Sequence, residues 1–229
     1  MFNTIKKFVL KDIVLHVKDI RSLQLLKNVH SDYVPWTGAS IHPTALLYLL
    51  NDITIHRRKH IVECGAGIST IYICSLLKSL QYDILFHTVD HDRKWLSLIR
   101  NYLKDRDLLD YAELVHAPLT DHKECFNGKC TWYDTAELED KISGPPIDLL
   151  FIDGPPANDD NSEYARYPAL PYFKPKLSDD FSVVLDDASR RGERLITRRW
   201  QEVCGVTFKQ SILKGDISVA SRGNRYNVL

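Results

Sequence analysis

"HIVECGAGIST" (residues 60–70) is an apolar run that ends in an acid and continues into two glycines separated by one residue. An apolar run of this length indicates a buried strand, and a glycine turn directly after it indicates a nucleotide-binding turn. Phosphate-binding loops, dinucleotide fingerprints and sites for phosphate-free cofactors all begin in this way. The stretch therefore predicts an α/β fold, and the residues around the glycines decide which ligand it suits.

Short β-rich runs alternate with helical patterns from residue 60 onward, which is typical of a parallel sheet with helices on both faces. Near the C-terminus, "GVTFKQSIL" and "GDISVASR" flank Lys214-Gly215 and predict an antiparallel hairpin. We expect a Rossmann-like, seven-stranded, mostly parallel sheet that ends in this hairpin. Its other strands are expected at 60–64, 84–89, 111–116, 148–152 and 181–185, and helices at 42–52, 69–80, 92–104 and 190–203.

The chain length bounds the domain organisation. With 229 residues, 44% of them hydrophobic, the chain is long enough for one ample core and short for two catalytic domains. We expect an N-terminal helical or lid segment over residues 1–40 and a single domain over 41–229. Residues 2–17 mix lysines with spaced apolar residues, and we expect them to pack on the domain; weak contact with a membrane surface is the alternative.

Charge and hydropathy exclude several classes of partner. Lysine plus arginine and aspartate plus glutamate number 30 each, so no overall field favours nucleic acid, and we expect no nucleic-acid partner. No stretch approaches the roughly 20 apolar residues of a membrane span, and the N-terminus lacks a cleavable signal pattern. These features predict a cytoplasmic protein without an integral membrane segment.

The five cysteines match neither a zinc ribbon nor a disulfide framework, which predicts reduced thiols. One pair is arranged differently, because Asn127-Gly128 in "CFNGKC" favours a two-residue hairpin turn. Such a turn would place Cys125 directly across from Cys130. We expect two free thiols there, with a disulfide as the alternative.

The residues around the glycines exclude two classes of ligand. A phosphate-binding loop of the Walker type needs a lysine after its last glycine, whereas this turn continues into Ile71 and Tyr72. A dinucleotide fingerprint needs a small third residue where Thr70 stands, and a nicotinamide enzyme would also need a second domain.

Glu63, directly before the turn, favours a ligand without phosphate. An acid at this position would repel a pyrophosphate, but it suits an ammonium group or ribose hydroxyls. S-adenosylmethionine has both, and backbone N–H groups at the turn can donate hydrogen bonds to its carboxylate. Asp90 ends the next strand about 20 residues later, where a carboxylate can accept both hydroxyls of a ribose.

The E-x-G-x-G-x-S-T pattern together with Asp90 resembles the class I S-adenosylmethionine-dependent methyltransferases over roughly residues 40 to 220. The resemblance implies that the cofactor contacts lie in the glycine turn and at the following strand ends. These are Glu63, Gly65, Ala66, Gly67, Ser69, Thr70, Asp90, His91, His116, Ala117 and Asp153.

Three further acids follow the fourth and fifth expected strands: Asp153 in "IDLLFIDGPP", and Asp186 and Asp187 in "FSVVLDDASR". Strand ends of an open sheet converge, and converging carboxylates repel one another unless a cation compensates them. Mg²⁺ suits such a set, can bind two substrate hydroxyls and can lower the pKa of one of them. The alternative is that Asp153 contacts the cofactor and the pair caps the next helix.

This acid pattern resembles the metal-dependent O-methyltransferases, namely catechol O-methyltransferase and the macrolide and aminocoumarin sugar O-methyltransferases. The resemblance implies that Asp153, Asp186 and Asp187 are metal ligands and catalytic residues. The sugar enzymes carry their general base two residues after the first ligand, where Pro155 stands here. Asp159, Asp160 and His42 are the candidates for a base from elsewhere.

"RYPALPYF" and "LDDASRRGERLITRRW" resemble segments of bacterial methyltransferases with glycan-associated functions. We therefore expect a small polar acceptor such as a sugar or glycan. Arg166 and Arg190, with Arg191 and Arg194, can form a basic rim for an anionic group; solvated arginines are the alternative.

The chain before the domain in this family often closes over the cofactor, which makes Trp36 in "YVPWTGAS" a candidate lid residue; an ordinary buried tryptophan is the alternative. Two other functions stay open on sequence grounds. One is a metal-free methyltransferase acting on nitrogen or on a protein side chain, and the other is a relative that binds the cofactor without turnover.

Overall fold

A computed structural model describes residues 2–80, 83–128, 130–157 and 162–223. The helices are α1 (Phe2–Leu26), α2 (Pro43–His56), α3 (Ile68–Ser79), α4 (Arg93–Lys104), α5 (Thr135–Lys141), α6 (Ala169–Phe173) and α7 (Arg191–Cys204). The strands are β1 (His60–Cys64), β2 (Leu85–Asp90), β3 (Glu113–His116), β4 (Leu119–His122), β5 (Cys130–Tyr133), β6 (Ile147–Ile152), β7 (Leu177–Leu185), β8 (Phe208–Ser211) and β9 (Ile217–Arg222).

The main sheet has seven strands in the order β3-β2-β1-β6-β7-β9-β8. Strands β3, β2, β1, β6 and β7 run parallel, and β9 pairs antiparallel with both β7 and β8. This confirms the expected Rossmann-like sheet with its C-terminal antiparallel hairpin. The chain order reverses between β1 and β6, and ligands bind outside the carboxyl ends of the strands at such a point.

Two apolar layers cover the sheet because side chains along each central strand point alternately to its two faces. In β1, Ile61 packs into the layer that contains α2 and α3, and Val62 packs into the layer that contains α6 and α7. All five residues of β1 are buried. Helices therefore pack on both faces, as the alternating pattern predicts.

A buried ion-pair cluster lies at the amino end of β1. Arg58 donates to Asp52 Oδ1 at 2.6 Å and to Ser182 Oγ at 2.7 Å, and Ser182 Oγ donates to Asp52 Oδ2 at 2.9 Å. The second guanidinium nitrogen of Arg58 reaches Asp180 Oδ1 at 3.2 Å. This arrangement, the Arg58 cluster, ties α2 to the first half of β7.

The hairpin expected around Asn127-Gly128 differs from the prediction. Strands β4 and β5 do pair antiparallel, but His122, and not Cys125, lies opposite Cys130. The connection is therefore longer than a two-residue turn, and it brings Cys125 back to 5.6 Å from Cys130 between Cα atoms. The two sulfur atoms form a disulfide, so the prediction of free thiols is wrong for this pair, while Cys64, Cys74 and Cys204 are free and buried.

Helix α1 packs against the domain along one side only. Leu15, Asp19, Ser22 and Leu26 are buried, and α1 contacts α2 and the 3₁₀ turn at residues 212–214. Lys18 Nζ donates to the carbonyl of Leu213 at 3.0 Å. Among the described residues, no helix is long and apolar enough to cross a membrane.

Candidate functional site

A cavity of about 690 Å³ opens at the carboxyl ends of β1, β2 and β6. Its lining combines the glycine turn, the end of β2, the end of β6 and the segment from Val34 to Ile41. Ten of the residues singled out from the sequence line it: Gly65, Ala66, Gly67, Ser69, Asp90, His91, Asp153, Arg166, Asp187 and Arg190.

The glycine turn has its shape because two backbone segments touch there. Gly65 has φ +98°, and a Cβ at this position would lie 2.9 Å from the backbone nitrogen of Gly154. A side chain is therefore excluded on both conformational and steric grounds. The turn is held against the end of β6, and its backbone is exposed to the cavity.

Asp90 fixes the turn to the neighbouring strand. Its carboxylate accepts from the N–H of Ala66 at 3.1 Å and from the N–H of Asp92 at 2.8 Å. Burial raises the pKa of the Asp90 carboxyl. Trp95 donates its indole N–H to the carbonyl of Ala66 at 2.7 Å, so the opposite side of the turn is held as well. Asp90 thus shapes the turn and faces the cavity.

Glu63 and Thr70 do not line this cavity, although the sequence placed them among the cofactor contacts. Glu63 is fully buried and accepts from the hydroxyls of Thr70 and Thr88, both at 2.6 Å. Thr70 Oγ1 also accepts from the N–H of Gly67 at 2.9 Å. Burial raises the pKa of Glu63 to about 7. Both residues support the turn from beneath, because the strand directs the Glu63 side chain toward α3 and β2.

His116, Ala117 and Trp36 also lie off the cavity lining. A ring nitrogen of His116 lies 3.1 Å from the carbonyl of His91, and the backbone of Ala117 donates to Asp90 at 3.0 Å. Trp36 packs edge-on against Tyr72 with ring centroids 6.1 Å apart. Val34, Pro35 and Thr37 around Trp36 line the cavity, whereas Trp36 itself lines a neighbouring cavity.

The structure brings together Asp153, Asp186 and Asp187, the three strand-end acids. One carboxylate oxygen from each lies within 4.8 Å of the others. Burial raises the pKa of Asp153 to about 7, and burial with the neighbouring acids raises the pKa of Asp186 well above its ordinary range. Asp187 has φ +56°, a left-handed conformation that is rare outside glycine. This backbone conformation at Asp187 accompanies the approach of its carboxylate to those of Asp153 and Asp186.

Arg166 lies inside this acid cluster, which corrects the expectation of a rim arginine. Only 4% of its side chain is exposed. Its guanidinium donates to Asp153 Oδ1 at 3.2 Å and to Asp187 Oδ2 at 3.1 Å. Glu193, which sequence reasoning missed, lies 3.7 Å from the same group. Acids that converge at strand ends predict a compensating cation, but the sequence pattern does not determine whether that cation is a metal ion or an arginine side chain.

Arg190 is the more exposed of the two arginines that line the cavity. It pairs with Asp187 at 2.9 Å, and its side chain is 38% exposed. Arg191 and Arg194, by contrast, contact Glu163 and the carbonyl of Ser189 and do not line the cavity. The expected basic rim is therefore reduced to Arg190.

The donor set fits a divalent cation of the Mg²⁺ type. If all were ionised, the carboxylates of the three strand-end acids and Glu193, together with the guanidinium groups of Arg166 and Arg190, would have a net charge of two negative units. Asp186 Oδ1 is buried and has no hydrogen-bond partner among the described residues. Hard carboxylate oxygens at this spacing are the ligands that Mg²⁺ prefers. The acids could therefore hold such an ion beside Arg166.

Of the three candidates for a base, the structure describes only His42; Asp159 and Asp160 lie outside the described residues. His42 Nδ1 lies 2.9 Å from Asp19 Oδ2, and this hydrogen bond raises the pKa of His42. Asp19 also accepts from the N–H of Thr44 at 3.0 Å, which fixes its position. His42 directly follows Ser40 and Ile41, both of which line the cavity.

A family described as "Methyltransferase domain" matches residues 62–188 of this chain. An O-methyltransferase from Bacillus cereus, solved in complex with S-adenosylhomocysteine, is similar in structure, with a TM-score of 0.53 and 16% identity over 90% of this chain and 91% of that one. An O-methyltransferase from Streptomyces achromogenes involved in tomaymycin synthesis was solved with S-adenosylmethionine. It gives a TM-score of 0.54 and 17% identity over 88% of this chain and 90% of that one.

A methyltransferase from Geobacter sulfurreducens gives a TM-score of 0.54 and 16% identity over 89% of this chain and 88% of that one. At these identities the structural matches establish the shared fold. No curated protein matches the chain by sequence.

Proposed function

The chain belongs to the methyltransferase-domain family, and on that premise we propose that it transfers a methyl group from S-adenosylmethionine to an oxygen of a small polar acceptor, a sugar or glycan. One observation carries the proposal: the glycine turn and two members of the acid cluster, Asp153 and Asp187, line the same cavity. The cofactor would bind at the turn and the acceptor beside the acids. Two structural neighbours solved with S-adenosylhomocysteine or S-adenosylmethionine support this choice of cofactor.

The glycine turn supports the cofactor part of the proposal. Backbone N–H groups at the start of α3 can donate hydrogen bonds to the carboxylate of the amino acid end, as helix N-termini do. Asp90 can accept the ribose hydroxyls, because it already faces the cavity from the end of β2. Nothing in this arrangement requires a phosphate, in line with the absence of a lysine after the glycines.

The reaction is an in-line displacement. An acceptor oxygen forms a bond to the methyl carbon, the bond from that carbon to sulfur breaks, and the acceptor hydroxyl loses its proton to a base. Orientation of the two reactants in a site that excludes water accounts for most of the acceleration. Arg166 and Arg190 hold Asp153 and Asp187 in place, so the acids can accept hydrogen bonds from acceptor hydroxyls.

A divalent metal ion is a separable part of the proposal. Asp153, Asp186 and Asp187 would hold it, and when bound it would lower the pKa of an acceptor hydroxyl. His42, oriented by Asp19, is the described candidate for the group that takes the proton.

The test is a transfer assay with S-adenosylmethionine and a panel of sugars, followed by detection of S-adenosylhomocysteine. We expect product with hydroxyl acceptors and none with amines or peptides. Cofactor binding without product for any acceptor would point to a relative without turnover. Repeating the assay with EDTA tests the metal separately, and full activity after exhaustive chelation would refute that part alone.

A metal-free methyltransferase acting on nitrogen or on a protein side chain is the second candidate. Arg166 favours it, because a buried guanidinium already compensates part of the acid cluster. This candidate predicts product with amine acceptors and no effect of EDTA. The same acceptor panel therefore distinguishes the two functions.

A further inference from the structure

Helix α1 has two apolar sides, and the domain covers only one of them. The covered side consists of the buried Leu15, Asp19, Ser22 and Leu26 described above. The other side carries Leu10, Ile13, Val17 and Ile20, which are between 53% and 61% exposed. Their spacing of three, four and three residues places them in one row along the helix. This row is called the α1 stripe below.

The helix that carries the α1 stripe is also strongly basic. Residues 2–27 contain five lysines and one arginine against two aspartates, a net charge of four positive units in a chain whose total is zero. One of the two acids, Asp19, is turned inward to His42 and Thr44. Arg21 and Lys27 are exposed next to the row of apolar side chains. An apolar row flanked by cations is complementary to a surface with an apolar interior and an anionic outer layer.

We propose that the α1 stripe docks this protein onto the surface of an anionic lipid bilayer. The helix would lie flat, with the four aliphatic side chains of the stripe among the acyl chains and the exposed cations Arg21 and Lys27 at the lipid phosphates. Peripheral binding agrees with the finding that no described helix is long and apolar enough to cross a membrane. The proposal concerns α1 alone and does not rest on the methyl-transfer reaction.

Charge favours a bilayer over a second copy of the chain as the occupant. A two-fold contact through the stripe would place two helices of the same positive charge against each other. One row of four aliphatic side chains is also narrow, since a stable protein interface buries roughly 800 Å² on each partner. An anionic bilayer offers opposite charge and an apolar layer at once.

The docking helix is connected to the candidate site. Ile20 and Leu23 of α1, and Lys27 directly after it, line a second cavity of about 570 Å³ together with Val34 and Trp36. Val34 also lines the larger cavity that contains the glycine turn. One segment therefore joins the proposed docking helix to the site.

The test is flotation of the full chain with vesicles, without cofactor or acceptor. Vesicles of phosphatidylcholine alone are compared with vesicles that contain about 30% phosphatidylglycerol, at low and high salt. We expect binding to the anionic vesicles and a decrease at high salt. The triple variant Ile13→Gln, Val17→Gln, Ile20→Gln should bind about tenfold more weakly.

The matched control is the double variant Ile55→Gln, Val203→Gln, which changes two exposed aliphatic side chains elsewhere, on α2 and α7. It should bind like the unchanged protein, and all variants should keep the same circular dichroism. No binding to anionic vesicles, or equal loss in both variants, would overturn the proposal. A dimer in analytical ultracentrifugation that only the triple variant disrupts, without vesicle binding, would assign the stripe to a second copy instead.

Discussion

Two buried arginines lie at opposite ends of the central sheet, and their surroundings differ. At the amino end, Arg58 faces Asp52, and both carboxylate oxygens of Asp52 accept a hydrogen bond. At the carboxyl end, Arg166 faces Asp153 and Asp187 within hydrogen-bond distance. Here Asp186 and Glu193 each keep a buried oxygen with no hydrogen-bond partner among the described residues.

Strand β7 contributes to both clusters, so the contrast lies within one element. Ser182 near its middle completes the Arg58 cluster, while Asp186 and Asp187 follow its end. A fully paired buried network stabilises one arrangement of the chain, whereas an incompletely paired one lowers stability. The ligand-binding end of the sheet therefore contains buried carboxylate oxygens without a hydrogen-bond partner among the described residues, whereas both oxygens of Asp52 at the other end are paired.

The largest expected effect comes from removing Arg58, the cation at the amino end of the sheet. Arg58→Met removes the cation and leaves Asp52 buried without its main partner, because Ser182 and the His56 ring nitrogen 3.2 Å from Asp52 Oδ2 cannot replace the guanidinium. The free energy of unfolding should fall by about 3 to 5 kcal/mol, as for other broken buried ion pairs. Urea denaturation measures it. A loss below about 1 kcal/mol would mean that the Arg58 cluster contributes little to stability.

The second prediction tests the backbone at the ligand-binding end. Gly65→Ala places a Cβ 2.9 Å from the backbone of Gly154 and disfavours the φ of +98°. The turn must shift, so affinity for S-adenosylhomocysteine should fall about a hundredfold, or roughly 2.7 kcal/mol. Calorimetry measures it. Gly38→Ala is the control, because its added Cβ meets nothing within 4 Å. Equal affinity in both variants would show that the turn does not bind the ligand.

The third prediction concerns how the stability of the folded chain depends on pH, because two buried acids have raised pKa values. Glu63 and Asp153 both have a folded pKa of about 7, above the ordinary 4.5 and 3.8. An acid with a raised pKa binds its proton more tightly in the folded chain, so stability falls as pH rises through the range between the two values. In chelated, ligand-free protein, raising the pH from 5 to 8 should lower the free energy of unfolding by roughly 2 kcal/mol for each of these two carboxyls.

Thermal unfolding across that pH range measures the effect, and Glu63→Gln is the matched variant. It removes one titrating carboxyl while an oxygen can still accept from Thr70 and Thr88. The pH slope should therefore become shallower. A slope that is identical in the variant would contradict the assignment of a raised pKa to Glu63.

The smallest expected stability change has the opposite sign. Asp186→Asn removes a buried charge that burial, Asp153 and Asp187 all disfavour. The variant should be more stable than the unchanged protein by about 1 kcal/mol, and it should lose most transfer activity while its affinity for S-adenosylhomocysteine changes only a few fold. A less stable variant would mean that Asp186 is compensated by a tightly bound cation in the purified protein.

Much of this arrangement could be predicted from the sequence because parallel strands impose strong rules. Apolar runs gave the central strands, and strand-end acids such as Asp153 and Asp186 converge wherever carboxyl ends meet. The glycine turn was identifiable for the same reason. Methyltransferase chemistry, expected from the turn and Asp90, agrees with the family match.

Other features depend on the path of loops, which short patterns do not determine. Arg166 lies between β6 and α6, outside any helix or strand, and no spacing rule predicts that its guanidinium reaches Asp153. Glu63 ends a strand near a ligand, yet its side chain points away from the cavity. Cys125 meets Cys130 through a longer connection than Asn127-Gly128 suggests.

The central claim is that the cavity at the carboxyl ends of β1, β2 and β6 binds an S-adenosyl cofactor. Calorimetric titration of the full chain with S-adenosylhomocysteine, and separately with NAD, tests it most directly. We predict saturable heat with one site per chain for S-adenosylhomocysteine and none for NAD. Folded protein that gives no heat with S-adenosylhomocysteine, or that binds NAD instead, would contradict the account.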